Sequence, residues 1–340
     1  MRARNWVIGG GAFLLVAVTV GAFALGNYVY RTGTAVPCAV NPDDIDNSPA
    51  AFSTPTVGPF PGEGWDQWIG HDLSEWWLPE ATVETVSIPV ADGVELEAWW
   101  IAAAPEGGET LFEATVIVTH GYGTSRRDYN ALLPTSMLVK GGFNVLLVDQ
   151  RDTGNSTCVD GRHSAGQDES DDFAAVADWL VAEKGVDPSK LGMFGVSGGA
   201  IAVAILPAKT DQVQAFALES PIFDFQETAK REVVFQGFPE SLWTLADLSA
   251  RLQGVNLNAT PIPAGIDAAG QRPILLLHGT EDQRLAYEGA VKFLDYGQSV
   301  GANVRLETFR GADHTEGMLT ETERYADALT SFFAAALGKR

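Results

Sequence analysis

Short apolar runs alternate with longer amphipathic stretches through the last three-quarters of the chain. Thr82–Val90 and Val94–Ala102, joined by Ala91-Asp92-Gly93, predict an antiparallel hairpin. Further short apolar runs predict buried strands at Ala114–Thr119, Asn144–Asp149, Leu191–Gly195, Ala215–Leu218, Pro273–Leu277 and Val304–Phe309. Stretches between them predict helices, including Asp128–Lys140, Asp171–Lys184, Ala286–Val300 and Thr320–Leu337. This alternation indicates an α/β fold with a mostly parallel, eight-stranded sheet flanked by helices.

The N-terminus has a different pattern. Asn5–Tyr30 contains no Asp, Glu, Lys or Arg, and a run of this length spans a bilayer as a helix. Arg2 and Arg4 precede the run and favour a cytoplasmic N-terminus. We therefore expect residues 1–31 to be a single-pass membrane anchor that places the rest of the chain outside the cytoplasm. The alternative is a cleaved signal peptide, with Ala22-Phe23-Ala24 as its cleavage site and a secreted product.

Two more segments follow from composition. Residues 32–80 start with a predicted linker that is rich in Pro, Ser, Thr, Asn and Asp. Four tryptophans follow it, and we expect them to pack against the domain: Trp65, Trp68, Trp76 and Trp77. Residues 81–340 form the α/β domain. About 50 residues separate two of the predicted strands, and this segment, 221–272, is the predicted cap insertion. Its aromatic and aliphatic side chains either line an acyl pocket or pack within the cap, and both interpretations stay open.

Charge and cysteine content exclude several function classes. The chain has 44 acidic and 22 basic residues, for a net charge of −22. Such a surface repels phosphate backbones, so nucleic-acid binding is not expected, and it disfavours anionic membranes as electrostatic partners. Cys38 and Cys158 are too few for a disulfide framework or a thiolate zinc site. Outside the cytoplasm they either pair or remain two thiols, and the sequence leaves both states open.

The motif that most directly indicates a catalytic residue is a G-x-S-x-G pattern, Gly195-Val196-Ser197-Gly198-Gly199. It stands between the apolar strand that begins at Leu191 and an apolar helix start at Ala200–Ala204. This strand–turn–helix setting is what a nucleophile elbow requires, because the serine must be exposed on a sharp turn. The pattern predicts Ser197 as a nucleophile.

From about Thr82 onward the chain resembles the α/β-hydrolase superfamily, and within it the esterases, lipases and serine-aminopeptidase-like proteins. His120-Gly121-Tyr122-Gly123 follows the third strand, where the family places its oxyanion loop. Asp149–Ser156 follows the fourth strand and is similar to the family's D-x-R-G-x-G-x-S segment. The chain departs from the pattern at Asp152, where the family usually has Gly, and at Gly198, where many relatives carry Met or Gln.

The resemblance implies the remaining members of a catalytic triad. His314, in Gly311-Ala312-Asp313-His314, follows the last strand and matches the family's catalytic histidine. Asp282 ends the segment His278–Asp282, which resembles the family's H-G-x-x-D, and is the expected acid. Asp224 is a lesser alternative acid. The order serine, aspartate, histidine is that of α/β-hydrolases.

The resemblance also implies an oxyanion hole. Its two donors would be the backbone N–H groups of Gly198 and Tyr122. The other strand-end histidines, His120 and His278, are expected to make local structural hydrogen bonds. Asp149 is expected to anchor its loop.

These features together predict a membrane-anchored, extracytoplasmic serine hydrolase that cleaves carboxylic esters through an acyl-enzyme. One alternative is an exopeptidase or amidase with the same triad, and another is a hydrolase-like module that binds without catalysis. The expected partners are a small-molecule ester or acyl substrate and the membrane itself, with no obligate protein partner. No cofactor and no metal is expected, because no metal constellation, P-loop or complete dinucleotide motif is visible.

Overall fold

The computed structural model describes residues 19–36, 38, 47–56, 68–105 and 112–338. The first part of the predicted membrane span, residues 5–18, lies outside the described residues. Residues 19–33 form a helix, α1. In the part of the chain that is described, no helix has both the length and the apolarity needed to cross a membrane. The chain divides into two compact units, one containing residues 19–35 and Phe225–Ala259, the other containing Val36–Asp224 and Thr260–Arg340.

A single eight-stranded sheet forms the centre of the second unit, as the sequence predicts. Its strand order is β1-β2-β4-β3-β5-β6-β7-β8. The first two strands pair as the predicted hairpin, β2 runs antiparallel to β4, and all other pairs are parallel. The strands are β1 Val83–Ala91, β2 Val94–Ile101, β3 Thr115–Thr119, β4 Asn144–Val148, β5 Leu191–Val196, β6 Ala215–Glu219, β7 Ile274–Gly279 and β8 Val304–Phe309.

Helices of the second unit connect the parallel strands, and two more follow the last strand. They are α2 Tyr129–Lys140, α3 Gln167–Glu183, α4 Gly198–Ile205, α7 Ile262–Ala269, α8 Tyr287–Ser299, α9 Gly317–Thr320 and α10 Thr322–Leu337. The side chain of Asp128 caps α2 by accepting a hydrogen bond from the backbone N–H of Asn130 at 3.0 Å. The predicted start of α3 at Asp171 is wrong by four residues. The helix begins at Gln167, and its acidic first turn suits the positive end of the helix dipole.

The N-terminal segment packs into the main core, as predicted for its tryptophans. Trp68 and Trp76 are buried in the same apolar cluster as β3, β4 and the inner faces of α2 and α10. Trp77 lies near them but is partly exposed, and its indole N–H donates to the backbone oxygen of Phe52 at 2.8 Å. Trp65 lies outside the described residues. The segment is therefore part of the domain core rather than a free linker.

Cys38 and Cys158 form a disulfide, which resolves the alternative left open by the sequence. They are 120 residues apart and tie the N-terminal segment to the loop after β4. Their sulfurs and the Asp152 carboxylate form the one cluster of potential metal ligands found among the described residues. Because both sulfurs are in the disulfide, neither is available as a thiolate ligand.

Removing this disulfide is expected to lower stability substantially. In the chain-entropy model, a cross-link over a loop of this length stabilises the fold by about 5 kcal/mol, because it restricts the unfolded chain. We expect the double variant Cys38→Ser/Cys158→Ser to unfold at a clearly lower temperature than the wild type in a thermal melt. Adding reductant should lower the melting temperature of the wild type only. Equal melting temperatures without reductant would contradict the prediction.

Candidate active site

Ser197 sits on a sharp turn between β5 and α4. Its φ of 50° and ψ of −113° are a strained conformation for a residue with a side chain. The turn brings Gly198 against Tyr122: a Cβ added at Gly198 would lie 2.7 Å from the Tyr122 backbone nitrogen. This close approach explains why the chain has Gly198 where many relatives carry Met or Gln, since no side chain fits there without moving the predicted oxyanion loop.

The structure brings the three predicted triad residues together. The Nε2 atom of His314 is 3.0 Å from the hydroxyl oxygen of Ser197, and its Nδ1 atom is 2.8 Å from Oδ2 of Asp282. The three residues follow β5, β7 and β8 at the carboxyl ends of the parallel strands, where open α/β sheets place their sites. The carboxylate that contacts His314 is therefore that of Asp282, the expected acid, and not that of the alternative Asp224.

Asp282 is held in a fixed orientation and in its ionised form. Its Oδ1 atom accepts hydrogen bonds from the backbone N–H groups of Arg284 at 2.9 Å and Leu285 at 2.6 Å. Burial alone would raise the pKa of Asp282, but the charges and hydrogen bonds of His314 and His278 outweigh it and hold the pKa well below the usual range. The carboxylate is thus available to stabilise a histidinium at His314.

A second histidine contacts the same carboxylate oxygen, which the sequence did not predict. The Nε2 atom of His278 lies 3.0 Å from Oδ2 of Asp282 and 2.9 Å from the backbone oxygen of Leu285. Among the described residues its buried Nδ1 has no hydrogen-bond partner, so the tautomer protonated on Nε2 fits both contacts. The expectation of a structural hydrogen bond at His278 is confirmed, but its partner is the expected triad acid.

The loop that carries His314 is held from two sides. The indole N–H of Trp68 donates to the backbone oxygen of His314 at 3.1 Å. The Asp313 carboxylate accepts from the backbone N–H groups of His314 and Gln283, at 2.6 and 2.8 Å. The N-terminal segment therefore positions the candidate base directly, whereas the sequence pattern indicated only packing for its tryptophans.

The oxyanion loop is fixed through His120. Burial lowers the pKa of His120, which keeps the ring neutral. Its Nε2 atom accepts a hydrogen bond from the backbone N–H of Gln150 at 3.1 Å, and the Gln150 side chain donates to the His120 backbone oxygen at 2.7 Å. The predicted structural role of His120 is confirmed. The ring of Tyr122, on the same loop, makes a T-shaped contact with the ring of His163, with their centroids 5.4 Å apart.

Asp149 anchors the loop after β4, as predicted. Its carboxylate accepts from the backbone N–H groups of Arg126 at 2.7 Å and Asn155 at 3.0 Å, and pairs with the buried Arg126 guanidinium at 2.9 Å. Gly154 has a φ of 52° and lies against this carboxylate, where an added Cβ would overlap it. The glycine of the motif is therefore required by close packing as well as by its backbone angle.

The departure at Asp152 has a structural reason. Asp152 adopts a φ of 63°, which glycine would adopt at lower cost. Its carboxylate, however, accepts three backbone N–H groups, from Val159 at 2.5 Å and from Asp160 and Gly161 at 2.9 Å each. A glycine could not make these bonds. Asp152 thus orders the loop that follows Cys158.

Glu219, at the end of β6, is a buried acid that no sequence motif indicated. It accepts a hydrogen bond from the Tyr325 hydroxyl at 2.7 Å, and the Ser220 hydroxyl lies 3.2 Å away. Burial and the nearby charge of Asp282 raise the pKa of Glu219 to about 8, although the hydrogen bonds oppose the rise. Glu219 is therefore mostly protonated at neutral pH.

Ionisation of Glu219 should make stability depend on pH. In the unfolded chain a glutamate loses its proton near pH 4.5, whereas the folded protein keeps this proton until about pH 8. Below pH 4.5 both states hold the proton, so the contribution to stability is complete. Between pH 4.5 and about pH 8 only the unfolded chain releases this proton, so the free energy of unfolding falls as pH rises. We expect the melting temperature of Glu219→Gln, relative to the wild type, to rise from pH 5 to pH 8. A difference that does not change with pH would contradict this assignment.

Comparisons with known proteins agree with the geometry. A family model described as the prolyl oligopeptidase family matches residues 133–340, more than half of the chain. The human acylamino-acid-releasing enzyme is 24% identical over 326 residues, which cover 87% of this chain and 43% of that protein. Human protein ABHD12B is 25% identical over 209 residues, covering 60% of this chain and 54% of that protein. The chain thus spans about half the length of these two curated relatives.

Solved structures share the fold. The Pyrococcus furiosus esterase Pf2001 aligns with a TM-score of 0.61 at 22% identity, covering 84% of this chain and 99% of that one. A puromycin hydrolase aligns with a TM-score of 0.57 at 20% identity, covering 76% of this chain and 40% of that one. Because the family match extends over more than half of the chain, and the fold agrees with it, these findings lead to one conclusion: the chain belongs to the prolyl oligopeptidase family.

Proposed function

We propose that the protein is a serine hydrolase that cleaves carboxylic esters through an acyl-enzyme on Ser197. The observation that carries the proposal is the continuous line of contacts from the Ser197 hydroxyl through both nitrogens of His314 to the Asp282 carboxylate. A serine hydroxyl is a weak nucleophile until a base accepts its proton, and His314 is within hydrogen-bond distance to do so. Ser197 is thus the nucleophile, His314 the general base and Asp282 the orienting acid.

In the acylation step the Ser197 oxygen attacks the substrate carbonyl carbon while its proton passes to Nε2 of His314. The carbonyl oxygen becomes negatively charged and accepts hydrogen bonds from the backbone N–H groups of Tyr122 and Gly198. The imidazolium formed at His314 is stabilised by the ionised Asp282. The tetrahedral intermediate then collapses: the bond to the leaving oxygen breaks, and His314 returns the proton to that oxygen to release an alcohol.

Deacylation repeats the sequence with water. His314 accepts a proton from water, whose oxygen attacks the acyl carbon on Ser197. The same two backbone N–H groups stabilise the second oxyanion. Collapse breaks the bond to the Ser197 oxygen, His314 returns the proton to that oxygen, and the carboxylic acid leaves. The triad needs no further reacting group for an ester, because an alkoxide leaves more readily than an amide nitrogen.

The second candidate is hydrolysis of peptide or acyl-amide bonds. The family match and the similarity to the acylamino-acid-releasing enzyme favour it. The decisive experiment compares the p-nitrophenyl ester and the p-nitroanilide of one N-acylated alanine, so that only the leaving group differs. Measurable kcat/KM for the ester and none for the anilide supports the esterase. An anilide rate close to the ester rate would instead assign the protein as an exopeptidase or amidase.

We further propose that the protein is a single-pass membrane protein with an extracytoplasmic hydrolase domain. The charge-free run from Asn5 to Tyr30 and the preceding arginines support the anchor. The disulfide supports an oxidising compartment. Mass spectrometry of the N-terminus, combined with alkaline carbonate extraction, distinguishes the two forms. An intact N-terminus in the membrane pellet supports the anchor, whereas a chain beginning near residue 25 in the soluble fraction indicates a cleaved signal peptide and a secreted enzyme.

A further inference from the structure

The unit formed by residues 19–35 and Phe225–Ala259 exposes an unusual amount of apolar surface. It contains α1, α5 Phe225–Phe235 and α6 Ser241–Leu252. It holds less than a fifth of the described residues, but nine of the twelve large apolar side chains that are exposed among them. Those nine are Val20, Phe23, Leu25, Tyr28, Val234, Phe235, Phe238, Leu248 and Leu252. An apolar surface of this kind marks an interaction site.

These helices are packed to one another rather than separately exposed. Gly26 of α1 lies so close to the backbone carbonyl of Leu245 in α6 that an added Cβ would overlap it. The side chain of Gln253 donates a hydrogen bond to Asn27 at 3.1 Å. Within the cap, the Trp243 indole N–H donates to Gln226 at 2.7 Å and so joins α6 to α5. One face of α1 is used in this packing, and the exposed side chains occupy the remaining faces.

The charge of this unit differs from that of the rest of the chain. Residues 19–35 carry one arginine and no acid, and Phe225–Ala259 carries three basic and four acidic residues, so the unit as a whole has no net charge. Val36–Asp224 and Thr260–Arg340 together carry 16 basic and 40 acidic residues, for a net charge of −24. The negative charge therefore lies on the hydrolase domain, which an anionic lipid surface repels, whereas such a surface does not repel the apolar unit.

We propose that α1, α5 and α6 together form a membrane-contacting surface, so that the cap helices lie against the lipid bilayer beside the anchor. This inference rests on the anchor in the proposed function. A lipid bilayer is the occupant that fits, because the charge-free residues 5–18 run directly into α1 and continue its apolar character. The exposed leucines of α6, Leu248 and Leu252, are four residues apart and share one helix face, as in helices that lie in the interface.

Site-directed spin labelling of the full-length protein tests this surface. Both native cysteines are in the disulfide, so an introduced cysteine is the one free thiol under non-reducing conditions. Leu252→Cys places a label at the end of α6, where the side chain is 67% exposed. Val300→Cys places a matched label at the end of α8, where it is 46% exposed. The labelled proteins are reconstituted in vesicles of mixed phosphatidylcholine and phosphatidylglycerol, and collisions with oxygen and with a water-soluble nickel chelate are measured.

The expected result is that the label at position 252 collides mainly with oxygen, as in lipid, and the label at 300 mainly with the nickel chelate. A label at 252 that behaves like the one at 300, in protein that floats with the vesicles, would overturn the proposal and leave a protein partner as the occupant. Failure of the protein to float would overturn the anchor together with it. Fluorophosphonate labelling of the same samples reports the serine hydrolase independently, so loss of the proposed activity is distinguishable from loss of the membrane contact.

Discussion

Replacing Ser197 with alanine is expected to abolish labelling by a fluorophosphonate and to lower kcat on a p-nitrophenyl ester by about 10⁶-fold. The reason is that the variant lacks the hydroxyl oxygen that lies 3.0 Å from Nε2 of His314. Without it no acyl-enzyme forms, and His314 and Asp282 have no nucleophile to activate. Losing His314 as well should cost little more, because the triad acts as a unit.

The control for this variant is Ser189→Ala. Ser189 is exposed, lies before β5 and takes no part in the site, so its variant should label and turn over like the wild type. Melting temperatures of both variants report folding. The Ser197 hydroxyl contacts Nε2 of His314, whereas the backbone of Ser197 is hydrogen-bonded to Glu219 and Ala200 independently of the hydroxyl. We therefore expect Ser197→Ala to fold normally. Fluorophosphonate labelling that persists in a folded Ser197→Ala variant would refute the nucleophile assignment.

The strands and the candidate triad could be predicted because local patterns determine them. All eight strands are found within two residues of the predicted bounds. The buried parallel strands are predictable because they must be short apolar runs, and the hairpin of β1 and β2 because a turn joins its two strands. Ser197, Asp282 and His314 each follow such a strand, and parallel strands bring their carboxyl ends to one edge of the sheet. The elbow glycines were visible in the sequence because a tight turn leaves no room for a Cβ.

Other features depend on contacts between distant residues and left no local pattern. The disulfide requires two cysteines 120 positions apart to meet, and the Trp68 hydrogen bond to His314 joins residues 246 positions apart. His278 was recognisable as part of a motif, but only the structure shows that its Nε2 shares an oxygen with His314. The cap helices α5 and α6 were not predicted individually; the sequence indicated only a cap insertion over residues 221–272.

Replacing Asp282 with asparagine is expected to lower kcat by about 10⁴-fold while the protein stays folded. The two oxygens of Asp282 have different partners: Oδ1 accepts two backbone N–H groups, and Oδ2 faces the ring nitrogens of His278 and His314. An asparagine would turn its amide oxygen toward the backbone donors and its NH₂ group toward the histidines. The NH₂ group can only donate, so His314 would have to carry its proton on Nε2, where it can no longer accept one from Ser197.

Glu281→Gln is the matched control for Asp282→Asn, because it removes a carboxylate one position away that is exposed to solvent. Steady-state kinetics on the p-nitrophenyl ester should show a wild-type rate for Glu281→Gln and the loss for Asp282→Asn only. KM should change little in Asp282→Asn, since Asp282 is buried behind His314 and stabilises the charged transition state rather than the bound substrate. An Asp282→Asn variant that keeps a tenth of the wild-type kcat would mean that His314 takes its orientation from the Trp68 and Asp313 contacts on its loop instead. Equal losses in both variants would point to a general effect of charge and not to the tautomer.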